Sequence, residues 1–297
     1  MSEKNMTALV SCFVRAYHFN NCKPLIFSDY PAKKILTPEE YLSISTNMTL
    51  GIKFFNPDFE GSPDEALRWI VNHELSPSVL GRSAFCEDSL YKSYLLGCHQ
   101  YLIFASGYDT FAYRYPLKNL HVFELDLKPM LEDKQSRLNT AVLSNPLVSF
   151  IPCNLTTSDW PNSLMSSPYK KNSLSFSSLL GISYYLTKKE FTTLIKNISK
   201  IVSPGSSIIF DYPNQNNRSS KNENLANGAG SPMKSTYSYQ EIKTILASYD
   251  FLIYEHHTGK TITERYFTHY NDQNKNDPII APSSVDYCLA VKNPLHK

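Results

Sequence analysis

The chain has 297 residues, 42% of them apolar, which is enough for one α/β domain with added helices. Lys plus Arg numbers 29 against 27 Asp plus Glu, a formal charge of +2, so there is no electrostatic case for a nucleic-acid groove or an anionic membrane surface. The six cysteines are scattered, with no CxxC or CxxH unit, so the expectation is a cytoplasmic protein with reduced thiols, no metal and a small-molecule partner.

Met6, Leu9, Val10, Phe13, Val14 and Tyr17 recur at helical spacing, with Arg15 and His18 on the polar side. With no small-residue cleavage site nearby, this predicts an amphipathic helix packed on the domain rather than a signal sequence. No apolar run approaches the roughly 20 residues that span a bilayer. The rest of the first hundred residues lacks strand alternation and reads as helices broken by Pro24, Pro31, Pro38, Pro57, Pro63 and Pro77. Residues 1–100 are thus expected to form a helical extension or cap on a core spanning 101–297, the two making one structural unit.

From Tyr101 strands alternate with helices. Apolar runs at Tyr101 to Ala105, His121 to Leu125, Leu147 to Leu155, Leu174 to Ile182, Ser206 to Tyr212, Phe251 to Glu255 and Val285 to Val291 predict strands. Pro129 opens a helix, and Thr187 with Glu190 and Ser238 with Glu241 form capping boxes that start two more. Such alternation buries a mostly parallel sheet between helix layers, an α/β Rossmann-like architecture. Residues 214–234, rich in Asn, Ser, Gly and Lys, read as a surface loop or lid.

In an open parallel sheet the ligand sits beyond the carboxyl ends of the strands. After the first strand comes Ala105-Ser106-Gly107-Tyr108-Asp109, where Gly107 permits close backbone approach; after the second stands Asp126, placed to accept hydrogen bonds from a ribose diol. This spacing fits an adenosine-type ligand without separating a nicotinamide cofactor from S-adenosylmethionine. A pyrophosphate site wants three glycines, whereas this loop has Gly107 with Asp109 beside it, which suits a cationic ligand better.

Ser106 to Arg114, then Val122-Phe-Glu-Leu-Asp126 and Lys134, resembles the GxDTxxxR…FEVD…K signature of leucine carboxyl methyltransferases and their bacterial O-methyltransferase relatives. Leu155 with Asp159-Trp160, Gly181-Ile-Ser-Tyr-Tyr-Leu186, Pro204 to Tyr212 and Glu264-Arg-Tyr-Phe267 are similar, in order, to later family segments. The resemblance implies a class I methyltransferase sheet of seven strands with the last antiparallel, and S-adenosyl-L-methionine as cofactor. It places Gly107 and its loop, with Ala105, Ser106 and Asp109, at the methionine part. Asp126 would meet the ribose, with Leu127 beside it also in the cofactor site, Asn154 and Leu155 the adenine, and Arg82 the cofactor carboxylate. Asp109 and Arg114 read equally well as shaping the loop.

Three positions depart from the family pattern. Ala105 stands for a glycine, tolerable if its φ is negative; Asn154 stands for an aspartate and keeps an acceptor; Leu180 stands for a glutamate and keeps none. Tyr184, Tyr185, Arg265 and Tyr266 are the candidates to line the acceptor pocket. His256 and His257, adjacent in a strand, should point to opposite faces with one exposed. The expected activity is O-methylation of a small-molecule carboxylate or hydroxyl; the alternative is a non-catalytic binding protein with a degenerate cofactor site.

Overall fold

The computed structural model describes residues 6–114, 117–215 and 232–294. Helix α1 (Met6–Asn21) is followed by α2 (Ala32–Ile35), α3 (Pro38–Leu50), α4 (Ile52–Phe55) and α5 (Pro63–Ile70); a π-helical turn (Val71–Leu75) then leads into α6 (Ser76–Leu95). The prolines act mainly as starters. Pro38, Pro63 and Pro77 occupy first-turn positions of α3, α5 and α6, where a missing N–H costs nothing. Capping boxes at Thr37 with Glu40 and Ser62 with Glu65 reinforce two of those starts.

The strands are β1 (Gln100–Phe104), β2 (His121–Asp126), β3 (Val148–Pro152), β4 (Phe176–Leu179), β5 (Ser207–Pro213), β6 (Phe251–Thr258) and β7 (Val285–Lys292). Between them lie α7 (Lys128–Thr140), α8 (Trp160–Met165), α9 (Lys188–Ile201), α10 (Tyr239–Ala247), α11 (Gly259–Ile262) and α12 (Thr268–Gln273). The predicted boxes at Thr187 and Ser238 cap α9 and α10. Strand order is β3-β2-β1-β4-β5-β7-β6, with β7 antiparallel to both neighbours and the other six strands parallel. Central strands covered on both faces need continuous apolar sequence, and β1 is buried along its whole length.

The N-terminal helices share the sheet's core. Leu9, Phe13 and Val14 of α1 belong to the same buried cluster as Tyr101, Ile103, Ile209 and Tyr287 from the strands. Arg15 and His18, expected on the polar side of α1, are buried instead. Each has a reason to be: Arg15 Nε donates to Asp29 Oδ2 at 2.7 Å, and His18 Nε2 accepts from the Ile26 amide at 2.9 Å. Periodicity could not reveal that these polar groups have partners supplied by the next loop.

The prediction for the paired histidines is also corrected in part. His256 and His257 do face opposite ways, but neither is fully exposed. Tyr212 takes the first at 2.7 Å, and Glu255 with the Phe85 ring holds the second. No helix among the described residues is long and apolar enough to cross a membrane. Most of the expected lid, 216–231, lies outside the described residues; its flanks come together where Asn214 bridges Tyr237.

Candidate active site

The carboxyl ends of β1, β2, β3 and β4 open on one cavity of about 1080 Å³. Its floor is the loop after β1, the turn after β2, residues 153–156 after β3 and residues 180–186 after β4. Its roof comes from the N-terminal extension: Thr7, Ala8 and Ser11 of α1, and Ser78, Val79 and Arg82 of α6. The extension is therefore a wall of the site, which the sequence signalled only through the resemblance at Arg82.

The loop after β1 turns on two left-handed residues, Ala105 at φ 54° and Gly107 at φ 46°. The condition under which alanine was acceptable at 105, a negative φ, is not met. An L-residue there carries about 1–2 kcal/mol of steric cost that glycine would not. At Gly107 the absence of a side chain serves closeness, since a β-carbon would sit 3.3 Å from that of Ala8. Arg15 holds the same loop from above by donating to the Tyr108 carbonyl at 2.7 Å, while Thr110 donates to Asp29 Oδ1 at 2.5 Å.

Asp126 closes β2 and lines the cavity. Its Oδ2 accepts from the Gly107 amide at 2.8 Å and its Oδ1 from the Leu127 amide at 2.7 Å. A carboxylate offers about four lone-pair directions, so two remain for a ligand diol. Burial pushes its pKa above the usual carboxylate range, opposed by those two amides. Leu127 beside it is 53% exposed, and half-buried Leu155 lines the wall after β3; together they give an apolar edge suited to a flat ring. Asn154 turns its carbonyl oxygen to the Thr156 amide and hydroxyl, so the acceptor it keeps is used within its own turn.

At the other end Leu180 packs against the core and lines the cavity without any polar contact to offer. The acid there comes from β5. Asp211, fully buried, accepts from the Gly181 amide at 2.7 Å and the Tyr184 hydroxyl at 2.9 Å, and Arg82 Nη1 lies 3.6 Å from it. Arg82 also donates to Ser11 Oγ at 3.2 Å. Sequence reading passed over Asp211, although an acid inside the apolar run Ser207–Pro213 at a strand's carboxyl end is the available signal.

The cavity thus gathers Arg82, Ala105, Ser106, Gly107, Asp109, Asp126, Leu127, Asn154, Leu155, Leu180, Tyr184 and Tyr185. Asp109 lines the cavity, and its Oδ1 accepts from the Phe111 amide at 2.7 Å, which shapes the loop. Arg114 is structural: it pairs with Glu87 and donates to the Ser28 carbonyl at 3.0 Å. Arg265 and Tyr266 are not among the lining residues. Arg265 joins Glu255 at 2.6 Å and Asp88 at 3.0 Å, and Tyr266 donates to Asp88 at 2.9 Å, so the late motif clamps a π-helical turn (Thr263–Phe267) to α6 and β6.

The family model described as leucine carboxyl methyltransferase matches residues 8–199. That span takes in α1 from Ala8 onward and the loops after β1, β2, β3 and β4. The chain belongs to the leucine carboxyl methyltransferase family. A full-length relative within reach is the Bacillus subtilis protein named "Putative S-adenosyl-L-methionine-dependent methyltransferase YktD", 38% identical over 306 residues and covering 98% of this chain and 99% of its own. Among solved structures, a DUF574 family protein from Streptomyces avermitilis superposes with a TM-score of 0.62 at 10% identity, covering 98% of each chain. A "putative methyltransferase" from Thermobifida fusca gives 0.56 at 12% identity, covering 96% of this chain and 94% of that one. At such identities these two structures speak for the fold of the family member and no further.

Proposed function

We propose that this S-adenosylmethionine-dependent methyltransferase transfers the methyl group to oxygen on a small-molecule carboxylate or hydroxyl. The observation that carries the cofactor half is Asp126, fixed by two backbone amides at the end of β2 with acceptor capacity left over. Gly107 and Ser106 would follow the methionine part, Leu127 and Leu155 the adenine, and Arg82 the carboxylate, for which a guanidinium fork is well shaped. When bound, S-adenosylmethionine supplies a methyl group on a sulfonium, leaving as S-adenosylhomocysteine.

The chain's own residues have three tasks. They align the acceptor with the methyl carbon, exclude water and neutralise charge. Pockets that take one drug-sized ligand measure ~300–1,000 Å³, and this cavity, at about 1080 Å³, lies above that range. Tyr184 and Tyr185 line it, and aromatic faces attract a sulfonium. Burial keeps the Tyr184 hydroxyl protonated, with a pKa pushed well above the phenol range, so it donates rather than abstracts. A carboxylate acceptor needs no base at all. The kinship with carboxyl methyltransferases favours oxygen as the methylated atom, and the lack of a base at Tyr184 favours a carboxylate over a hydroxyl.

The test is transfer from methyl-labelled S-adenosylmethionine to a panel of small carboxylic acids, phenols and alcohols, with amines and thiols alongside. Base-labile label marks an ester and base-stable label on a hydroxyl marks an ether. Label on nitrogen or sulfur only would reject the proposal, and failure to bind the cofactor would favour a degenerate binding protein.

A further inference from the structure

Arg82 is a cationic side chain that reaches into the cavity from the roof, and it does not hold itself in place. Its guanidinium sits against the backbone of Gly181, so closely that a β-carbon there would fall 2.5 Å from Nη1. Beneath that contact lies the Asp211 carboxylate, with Nη1 3.6 Å from Oδ2. Asp211 is completely buried, and its two oxygens are each tied down from a separate point of the loop after β4, by the Gly181 amide and the Tyr184 hydroxyl. A buried carboxylate needs such partners, and once fixed it presents a fixed charge. Ser11 completes the frame by taking Nη2 from α1.

We infer that Asp211 is the positioning residue for Arg82: from β5 it sets the guanidinium, the Gly181 turn and the Tyr184 hydroxyl as one unit that receives the carboxylate end of the cofactor. The inference rests on the reading that Arg82 meets that carboxylate. Asp211 itself is fully buried and is not among the lining residues. Its influence therefore falls only on ligands that carry a carboxylate, and this separates a positioning role from general support of the fold.

The experiment titrates purified full-length protein with S-adenosylhomocysteine and with 5′-methylthioadenosine, which keeps the nucleoside and sulfur but lacks the amino-acid portion. Asp211→Asn should weaken S-adenosylhomocysteine about tenfold, as expected for loss of a charged hydrogen-bonding frame, and leave 5′-methylthioadenosine within about twofold. Arg82→Ala should give the same selective loss, and the double variant should be no worse than Arg82→Ala alone. Equal weakening of both ligands by Asp211→Asn, or additive losses in the double variant, would overturn the positioning role. Should Asp211→Asn fail to fold, Asp211→Glu, which keeps the charge but displaces it, must show the selective loss; binding of both ligands as in the native protein would overturn the inference. If Arg82→Ala leaves S-adenosylhomocysteine binding intact, it is the reading of Arg82 that fails, whatever Asp211 does.

Discussion

Gly181 and Arg82 occupy the same small volume: the glycine's open face is filled by the arginine's guanidinium, and φ at Gly181 is 67°. Alanine at 181 would meet both problems, a left-handed backbone and a collision with Nη1. Gly181→Ala is expected to lower stability by about 1–2 kcal/mol from the backbone alone. It should also weaken S-adenosylhomocysteine by displacing Arg82. Calorimetry on protein shown to be folded by thermal melting checks it; unchanged affinity would mean that Arg82 can work from another position.

Asp126 organises the turn it closes. Replacing it with alanine strips the Gly107 and Leu127 amides of their acceptor and removes the ribose partner together. The expected loss for S-adenosylhomocysteine is at least about tenfold, each unsatisfied group costing about 1–3 kcal/mol. Asp126→Asn should fall between the two, since one oxygen survives to accept from one amide. Both are read by isothermal titration.

Ala105 makes an unusual sign available. Ala→Gly normally destabilises by unfolded-chain entropy of about 0.4–1 kcal/mol, yet relief of about 1–2 kcal/mol of left-handed strain outweighs it here. Ala105→Gly is therefore expected to raise stability by up to about 1.5 kcal/mol in denaturant unfolding. A loss of stability would show that the methyl group packs usefully in the turn.

His18 gives the pH dependence a sign. Burial, with Lys23 nearby, lowers its pKa to about 4, and its Nε2 must stay unprotonated to accept from the Ile26 amide. The unfolded chain, titrating near 6.5, then binds a proton that the native state refuses between those values. Stability from this residue is full above pH 6.5 and is lost as pH falls towards 4, by roughly 3 kcal/mol at most. Denaturant melts from pH 7 to 4 should show that slope, and His18→Gln should flatten it.

Arg265 offers the opposite control. Its partners Glu255 and Asp88 are partly exposed, so Arg265→Ala should cost no more than about 1 kcal/mol of stability and leave cofactor binding unchanged. A selective loss of binding would return this residue to the site.

The sheet and the cavity at its strand ends were readable because each depends on local pattern: apolar runs mark β1 to β7, and the open edge follows from strand direction. What escaped reading depends on contacts between distant segments. Arg15 and His18 looked solvent-facing because their partners, Asp29 and Ile26, lie beyond the helix. Arg265 and Tyr266 looked like site residues because they form a motif, but their hydrogen bonds run to Asp88, far back along the chain. The sign of φ at Ala105 was likewise set by the turn and not by the residue, which has no reason of its own to adopt it.

The position of β7 bears on how the molecule is made. The strand that comes last along the sequence lies inside the sheet, between β5 and β6. During synthesis β6 therefore emerges before β7, the strand it pairs with, and residues up to Lys292 must leave the ribosome before the sheet can become continuous. A stop codon a few residues before Val285 would not trim a tail; it would take out an interior strand and strand β6 in solvent.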